Sequence, residues 1–314
     1  MFAGQTAKTL PWMPDDACIA RVEGLARTHR AAVHGVLSPV VAAWHPKFRV
    51  ESAAEFDKMI ELSTKMTLVG HACAEVVGAP FGAREQRIAA LYGGCCFLAD
   101  SFIDNFGDAA SRDYLRRFDE LFLSGWFEVR TDRERLFYVL AARLFAERDM
   151  LEPMVRQATL KLHAAQSLDA LLRIDPWRTT DLTATQRRAL FKRVARDRGG
   201  HTILLLTVLV APRLAPGLVA GLFSAGSLFM YIDDHGDFFT DRRDGRSTYM
   251  NLLRRPEPAL HRIVTAHFLT ILAKLPGNEG RDALLAILAR YYFTRIDKHR
   301  VQEQGGGTAW DVYE

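Results

Sequence analysis

LAPGLVAGLFSAGSLFMYIDDHGDFFTD, residues 214–241, decides how the rest of the chain reads. Leu214 to Ile232 contains nineteen residues without a charge, and Asp233, Asp234, Asp237 and Asp241 follow directly. The run is long enough to cross a bilayer. Yet it carries Pro216, Gly221, Ser224, Gly226 and Ser227, and it ends in acids. A helix apolar on every side that ends this way is expected in a protein core. Asp233, Asp237 and Asp241 are four residues apart. Each step of four turns a helix by only about 40°, so the three carboxylates share one face. Buried like charges require cations. Arg242 and Arg243 are one source, at a solvated helix end. Magnesium is the other, because it takes oxygen ligands from a few carboxylates, water and substrate phosphates. Manganese is a compatible substitute. The DxDxDG spacing of an EF-hand is absent.

Outward from this stretch, helical periodicity covers the chain, and neither an Asn-Gly hairpin nor sustained alternation appears. The pattern predicts helices over 15–43, 53–77, 84–106, 112–124, 131–147 and 151–173. Helices over 184–198, 201–211, 217–243, 257–274 and 279–300 follow. Thr179–Thr185 supplies N-cap candidates, and Gly199-Gly200 is expected to kink or divide the helix that follows. Pro46, Pro80, Pro176 and Pro212 punctuate the series. The fold class is therefore all-α, as one domain over 1–314, with 1–14 and 304–314 as flexible ends.

The 314 residues are 49% apolar and 25% charged, which are globular values. A net charge of +4 without a basic tract points away from nucleic acid. Cys18, Cys73, Cys95 and Cys96 form no CxxC pair, which argues against zinc and disulfides and for a reduced, cytoplasmic setting. No apolar signal core opens the chain and no transmembrane span is expected, although peripheral membrane contact and a homodimer are compatible with the composition.

A second acidic row lies in CCFLADSFIDNFGD, residues 95–108, at Asp100, Asp104 and Asp108. Acids at a helix C-terminus oppose the macrodipole, which is costly without a cation. Two such rows on facing helices can serve one cavity. Asp100 and Asp104 are expected to face Asp233, Asp237 and Asp241 across a cleft.

These motifs resemble the class I isoprenoid synthases. FMYIDDHGDFFTDRRDGRST, residues 229–248, resembles the DDxxDxxxDxxxGxxT segment of bacterial large-terpene synthases related to tetraprenyl-β-curcumene synthase. Asp197-Arg198-Gly199-Gly200-His201-Thr202 resembles their basic Gly-Gly segment, and Phe102-Ile103-Asp104-Asn105 their first motif. That first motif departs from DDxxD: it reads DxxxD, with Ser101 where an aspartate is expected. The likeness covers roughly 95–108 and 190–250.

The resemblance implies a helical bundle around a central cavity and a magnesium-dependent ionisation of a linear prenyl diphosphate. It assigns catalysis to Asp100, Asp104, Asp233 and Asp237, and metal binding to these four with Asp241. It assigns the diphosphate to Arg198, Arg246 and Arg290, with Arg295 and Lys298 as further candidates. Arg290-Tyr291 resembles the Arg-Tyr pair on the terminal helix of terpene cyclases. Phe97, Phe229 and Tyr291 would line the cavity, with Phe102, Phe106, Tyr231, Tyr292 and Phe293 as further aromatics. His201 and His235 read as polar lining or as structural histidines. The terpene synthase, a carbon–oxygen lyase, stands beside a prenyltransferase or head-to-head coupling enzyme. A non-catalytic helical binding protein is a third reading. A membrane-embedded prenyltransferase is disfavoured by the charges in 84–96, 131–147 and 184–198.

Overall fold

The computed structural model describes residues 10–104, 107–149 and 152–305; the side chains at 49, 50, 103, 104, 107, 108, 122 and 123 lie outside the description. The two ends expected to be flexible fall mostly beyond it. The helices are α1 (Asp16–Trp44), α2 (Phe48–Glu51), α3 (Ala53–Val76), α4 (Ala83–Asp104), α5 (Gly107–Ser124) and α6 (Asp132–Glu147). After these come α7 (Pro153–Ile174), α8 (Ala184–Val210), α9 (Pro216–Gly236), α10 (Phe238–Arg243), α11 (Pro256–Lys274) and α12 (Glu279–Glu303). No strand occurs among the described residues.

Local chemistry sets the boundaries. Asp15, Thr131 and Asn278 accept the exposed amides of Cys18, Glu134 and Arg281. Thr183 and Gln186 form a reciprocal capping box at the start of α8. Pro153, Pro216 and Pro256 open helices where no amide partner is needed.

α5 begins at Gly107, five residues before the expected 112, and two further departures from the sequence reading bear on the site. The Gly199-Gly200 pair neither kinks nor divides α8, which runs unbroken to Val210. Its role is packing: a Cβ on Gly199 would overlap the backbone of Gly226 on α9, and one on Gly200 would overlap the ring of Phe223. The predicted helix over 217–243 is interrupted at Asp237, between α9 and α10. Yet Asp237 N–H still donates to Asp233 O at 3.0 Å and Asp241 N–H to Asp237 O at 2.8 Å. The acidic row therefore keeps its helical phase through the break.

From Gly221 onward the apolar run of α9 is largely core, whereas Ala215, Pro216, Gly217 and Ala220 are exposed. α9 is the one described helix long and apolar enough to cross a membrane, but Leu222, Ala225, Leu228 and Ile232 are sealed against α8, α11 and α12. One continuous apolar cluster extends from Leu10 to Ile296.

Five helices form a closed ring in which α3 packs on α4, α4 on α8, α8 on α9, α9 on α12, and α12 on α3. Their directions follow from the contacts. Tyr92 OH donates to Thr202 O, and Ala89 and Leu206 meet at Gly70, so α4 runs antiparallel to α8. Tyr231 OH donates to Lys192 O and Gly226 meets Gly199, so α9 is also antiparallel to α8. Phe229 meets Tyr291 and His235 meets His299, so α12 runs with α9. At one end α3 touches α8 across the ring, where Gly70 meets Leu206. The opposite end receives the C-terminal halves of α4, α9 and α12.

Candidate active site

Both acidic rows come to that opposite end. Asp100 lies two turns past Tyr92, which places it near the level of Val194 on α8. Asp233 lies just past Tyr231, near the level of Lys192. The rows thus sit at similar heights on parallel helices. Asp100 is exposed. The side chains of Asp104 and Asp108, and the whole of Asn105 and Phe106, lie outside the described residues. Ser101 is buried and donates to Leu98 O within its own helix, so the position that departs from the family pattern does not share Asp100's exposure.

The cations that bond Asp233 and Asp237 come from α12, not from Arg242 or Arg243. Arg242 lies over Phe238, and Arg243 pairs with Asp244. Arg295 Nη2 donates to Asp233 Oδ1 at 2.8 Å and Nη1 to Asp237 Oδ1 at 3.4 Å. Lys298 Nζ donates to the same Asp237 oxygen at 3.0 Å. Tyr291 OH donates to Asp233 Oδ1 and itself accepts from Arg295 Nη2 at 3.0 Å. Tyr291, Arg295 and Lys298 recur every three or four residues, so one stripe of α12 faces one stripe of α9. Gly236 permits this approach: a Cβ there would overlap Arg295 Cδ.

Burial works to raise the Asp233 carboxyl, but Arg295, Tyr291, Lys65 and Lys298 outweigh it and hold it below its ordinary value. The Asp237 carboxyl is raised by burial and by Asp233, against Arg295 and Lys298. Asp241 is pushed up to about 7 by burial and Asp237, only partly offset by Arg173 and Arg246. Asp234 stands well above the carboxylate range, chiefly through burial. The Asp233 and Asp237 side chains keep 39% and 32% of their exposure despite this desolvation, so solvent reaches them. Asp233 is thus held ionised, while burial and like charge shift Asp237 and Asp241 toward the protonated form.

Two further basic groups are positioned locally. Gly245 has φ 70°, and Arg246 N–H returns to Asp241 O at 2.8 Å, the wrap that closes a helix through a left-handed residue. That wrap brings Arg246 back to Asp241. Arg198 pairs with Asp169 of α7 at 2.8 Å and donates to Gln166 at 3.0 Å; its charge also acts on Asp234.

Arg290 does not join the cluster. It is 59% exposed and pairs with Glu23 of α1 at 3.2 Å, a different face of α12 from Tyr291. Phe229 and Tyr291 are half-buried with ring centroids 5.9 Å apart. Phe97 is half-buried against the core. Phe102 is instead sealed into an aromatic cluster with Tyr114 and Phe137. His235 is fully buried on His299, and His201 packs edge-on to Phe223.

No protein-family model matches the chain, and no curated protein matches it.

The sequence reading missed Lys65, Asp169 and Arg173. Lys65 reaches from α3 to within 6.0 Å of the Tyr291 ring. Asp169–Arg173 and Glu61–Lys65 are i,i+4 pairs of the kind many helices carry, so no local pattern singles them out.

Among the described residues no three His, Cys, Asp or Glu side chains converge as a metal cage would. The acids are spaced along a row. Magnesium suits that donor set nonetheless: it is commonly held by one or two carboxylates, with water and phosphate oxygens completing the octahedron. Asp233, Asp237 and Asp241 offer carboxylate oxygens, and a divalent cation there would offset the like charge that raises Asp237 and Asp241.

Proposed function

We propose that this protein is a class I terpene synthase that ionises a linear prenyl diphosphate at the open end of the helical ring. The observation that carries the reading is the half-accessible acidic row of Asp233, Asp237 and Asp241. It lies at the end of a core helix, opposite the α12 stripe of Tyr291, Arg295 and Lys298, and at the same end of the ring as Asp100. Magnesium at Asp233, Asp237, Asp241 and the Asp100–Asp104 row would supply Lewis-acid withdrawal of charge from the leaving diphosphate.

The chain's own residues do the rest. Arg295 and Lys298 hold diphosphate oxygens, and Arg246 is carried to the same edge by the turn at Gly245. Arginine suits this work because its planar fork matches phosphate oxygens. Arg198, fixed by Asp169, supplies charge from the α8 side. Phe229 and Tyr291 present ring faces to the developing allylic cation. Leu62, Met66, Cys96 and Met230, half-buried on the ring helices, form an apolar wall that limits water.

The test is incubation with magnesium and prenyl diphosphates of increasing length, with measurement of diphosphate release and analysis of the organic product. A hydrocarbon or cyclised alcohol from one substrate supports the synthase. A coupled product from two substrates reassigns the site to a prenyltransferase. No diphosphate release from any substrate refutes the proposal and favours a helical binding protein.

A further inference from the structure

We infer that one edge of the open end, formed by the α7–α8 corner and the 242–255 segment, is a docking surface for an anionic membrane, with Trp177 seated among the lipid headgroups. The inference stands on charge and placement and needs neither the proposed metal nor the proposed substrate.

Charge is the first observation. PWRTTDLTATQRRALFKRVAR, residues 176–196, holds six basic residues and one acid, and RRDGRSTYMNLLRR, residues 242–255, holds five and one. The rest of the chain carries thirty basic and thirty-five acidic residues. The positive excess of the molecule is therefore confined to these two segments. All of their basic side chains except Arg187 and Arg246 are exposed. Arg188, Arg193, Arg254 and Arg255 make no ion pair among the described residues.

The fold joins the two segments into one surface. Arg187 Nη2 donates to Ser247 Oγ at 2.7 Å, and Lys192 Nζ lies 5.7 Å from the centre of the Tyr249 ring. Arg300, near the end of α12, pairs with Glu257, which brings the start of α11 and its preceding arginines to the same end. Asp233 and Asp237 are bonded to α12 side chains, and Asp100 stands on α4, so none of the three belongs to this edge.

Trp177 supplies the apolar element. It is the most exposed of the large apolar side chains described, at 63%. Its indole N–H donates to Asp175 Oδ1 at 3.2 Å, and Asp175 also accepts from Arg112 and Arg178. The ring is thus held in place with its body in solvent, and one acid answers two guanidinium groups. Tryptophan favours the bilayer interface, and each basic residue near an anionic leaflet strengthens binding about fivefold. Arg178 already covers one face of the ring at 5.1 Å, which suits insertion between headgroups better than stacking on a nucleic-acid base.

Co-sedimentation of the full chain with vesicles tests the surface, using phosphatidylcholine alone and phosphatidylcholine in which about a third of the lipid is phosphatidylglycerol. Wild type should bind the anionic vesicles at least about tenfold more tightly than the neutral ones, and salt should weaken that binding. Arg188→Gln with Arg193→Gln, and separately Arg254→Gln with Arg255→Gln, should each lower anionic binding by about tenfold or more. Arg27→Gln with Arg30→Gln removes the same charge from exposed positions on α1 and should change binding by less than about twofold. Brominated lipid should quench tryptophan fluorescence, and Trp177→Phe should remove the larger part of that quenching. Two separate charge variants and one aromatic variant keep the test usable if one of them fails to fold. Wild type without preference for anionic vesicles overturns the surface, as do equal losses in all three arginine pairs or quenching unchanged in Trp177→Phe. Tight, salt-sensitive binding to single-stranded nucleic acid without vesicle binding overturns it in favour of a nucleic-acid partner. The measurement uses neither magnesium nor prenyl diphosphate, so its failure leaves the proposed reaction standing, and failure of that reaction leaves the surface standing.

Discussion

Asp233 and Asp237 differ in what holds them, and that difference predicts how each variant behaves. Asp233 is kept ionised by Arg295, Tyr291 and Lys65, whereas burial and its neighbour push Asp237 up. Asp233→Asn and Asp237→Asn should each lower diphosphate release by at least about a hundredfold, the scale of losing one preorganised electrostatic contact. Circular dichroism should show the helical fold intact in both. Near-wild-type activity in both variants at saturating magnesium would remove the second motif from the mechanism. A second comparison separates resemblance from geometry. Arg290→Gln should leave diphosphate release close to wild type, because its partner is Glu23. Arg295→Gln should lower release sharply. Equal losses in the two would mean that Arg290 turns inward when substrate binds.

At the scale of elements, the approach of α8 to α9 depends on the absence of side chains at Gly199 and Gly226. Gly199→Val inserts atoms where backbone stands, and overpacking of this kind costs roughly 1–3 kcal/mol or more. It should lower the urea midpoint by that loss divided by the urea dependence of the unfolding free energy, and disturb the level at which α9 presents Asp233. Thr183→Ala removes one half of the capping box, which is worth about 1 kcal/mol. Because it lies at the entrance of α8 and touches neither α9 nor the acids, it should lower stability with little change in diphosphate release. Unequal activity losses at equal stability loss would show that the α8–α9 seam, rather than global stability, sets the site. An unchanged midpoint in Gly199→Val would mean the seam can open without cost.

The whole molecule carries an acid-sensitive junction far from the acidic rows. His29 on α1 bonds His71 of α3 at 2.9 Å and receives Gln86 Nε2 of α4 at 2.8 Å. Beyond His71 lie Glu75 and Arg21, which pair with each other. Burial and His71 lower the His29 imidazole to about 4, and burial lowers His71 as well. A histidine kept neutral in the folded state leaves the unfolded chain to take the proton first. Stability from His29 is therefore complete above about pH 6.5 and is lost as pH falls towards 4, on the order of 2–3 kcal/mol in all. Thermal melts should show the transition temperature falling between pH 6.5 and 4.5. In His29→Leu that fall should be shallower, even though the variant starts from a different stability. A parallel slope in the two proteins would exclude His29 as the group responsible.

The all-α class, most helix positions, and the burial of the later half of the 214–232 run were legible from periodicity, breakers and one charge-free stretch, because each depends on residues close together in the chain. The shared face of Asp233, Asp237 and Asp241 was legible for the same reason: a helix converts spacing into direction, and the phase persisted even where α9 gives way to α10. Gly199-Gly200 was not, since a glycine that permits a turn and one that permits another helix to approach look identical in one dimension. Nor were the partners of the acids. Arg242 and Arg243 were near in sequence, but Arg295 and Lys298, more than fifty residues away, were near in space. The position of Arg290 outside the cluster, with Tyr291 inside it, follows from about 100° of helical rotation combined with where α1, α3 and α9 pack around α12. The row of carboxylates is therefore a property of the sequence, while its neutralisation is a property of the tertiary structure, because ion pairing depends on which helices the core packs side by side.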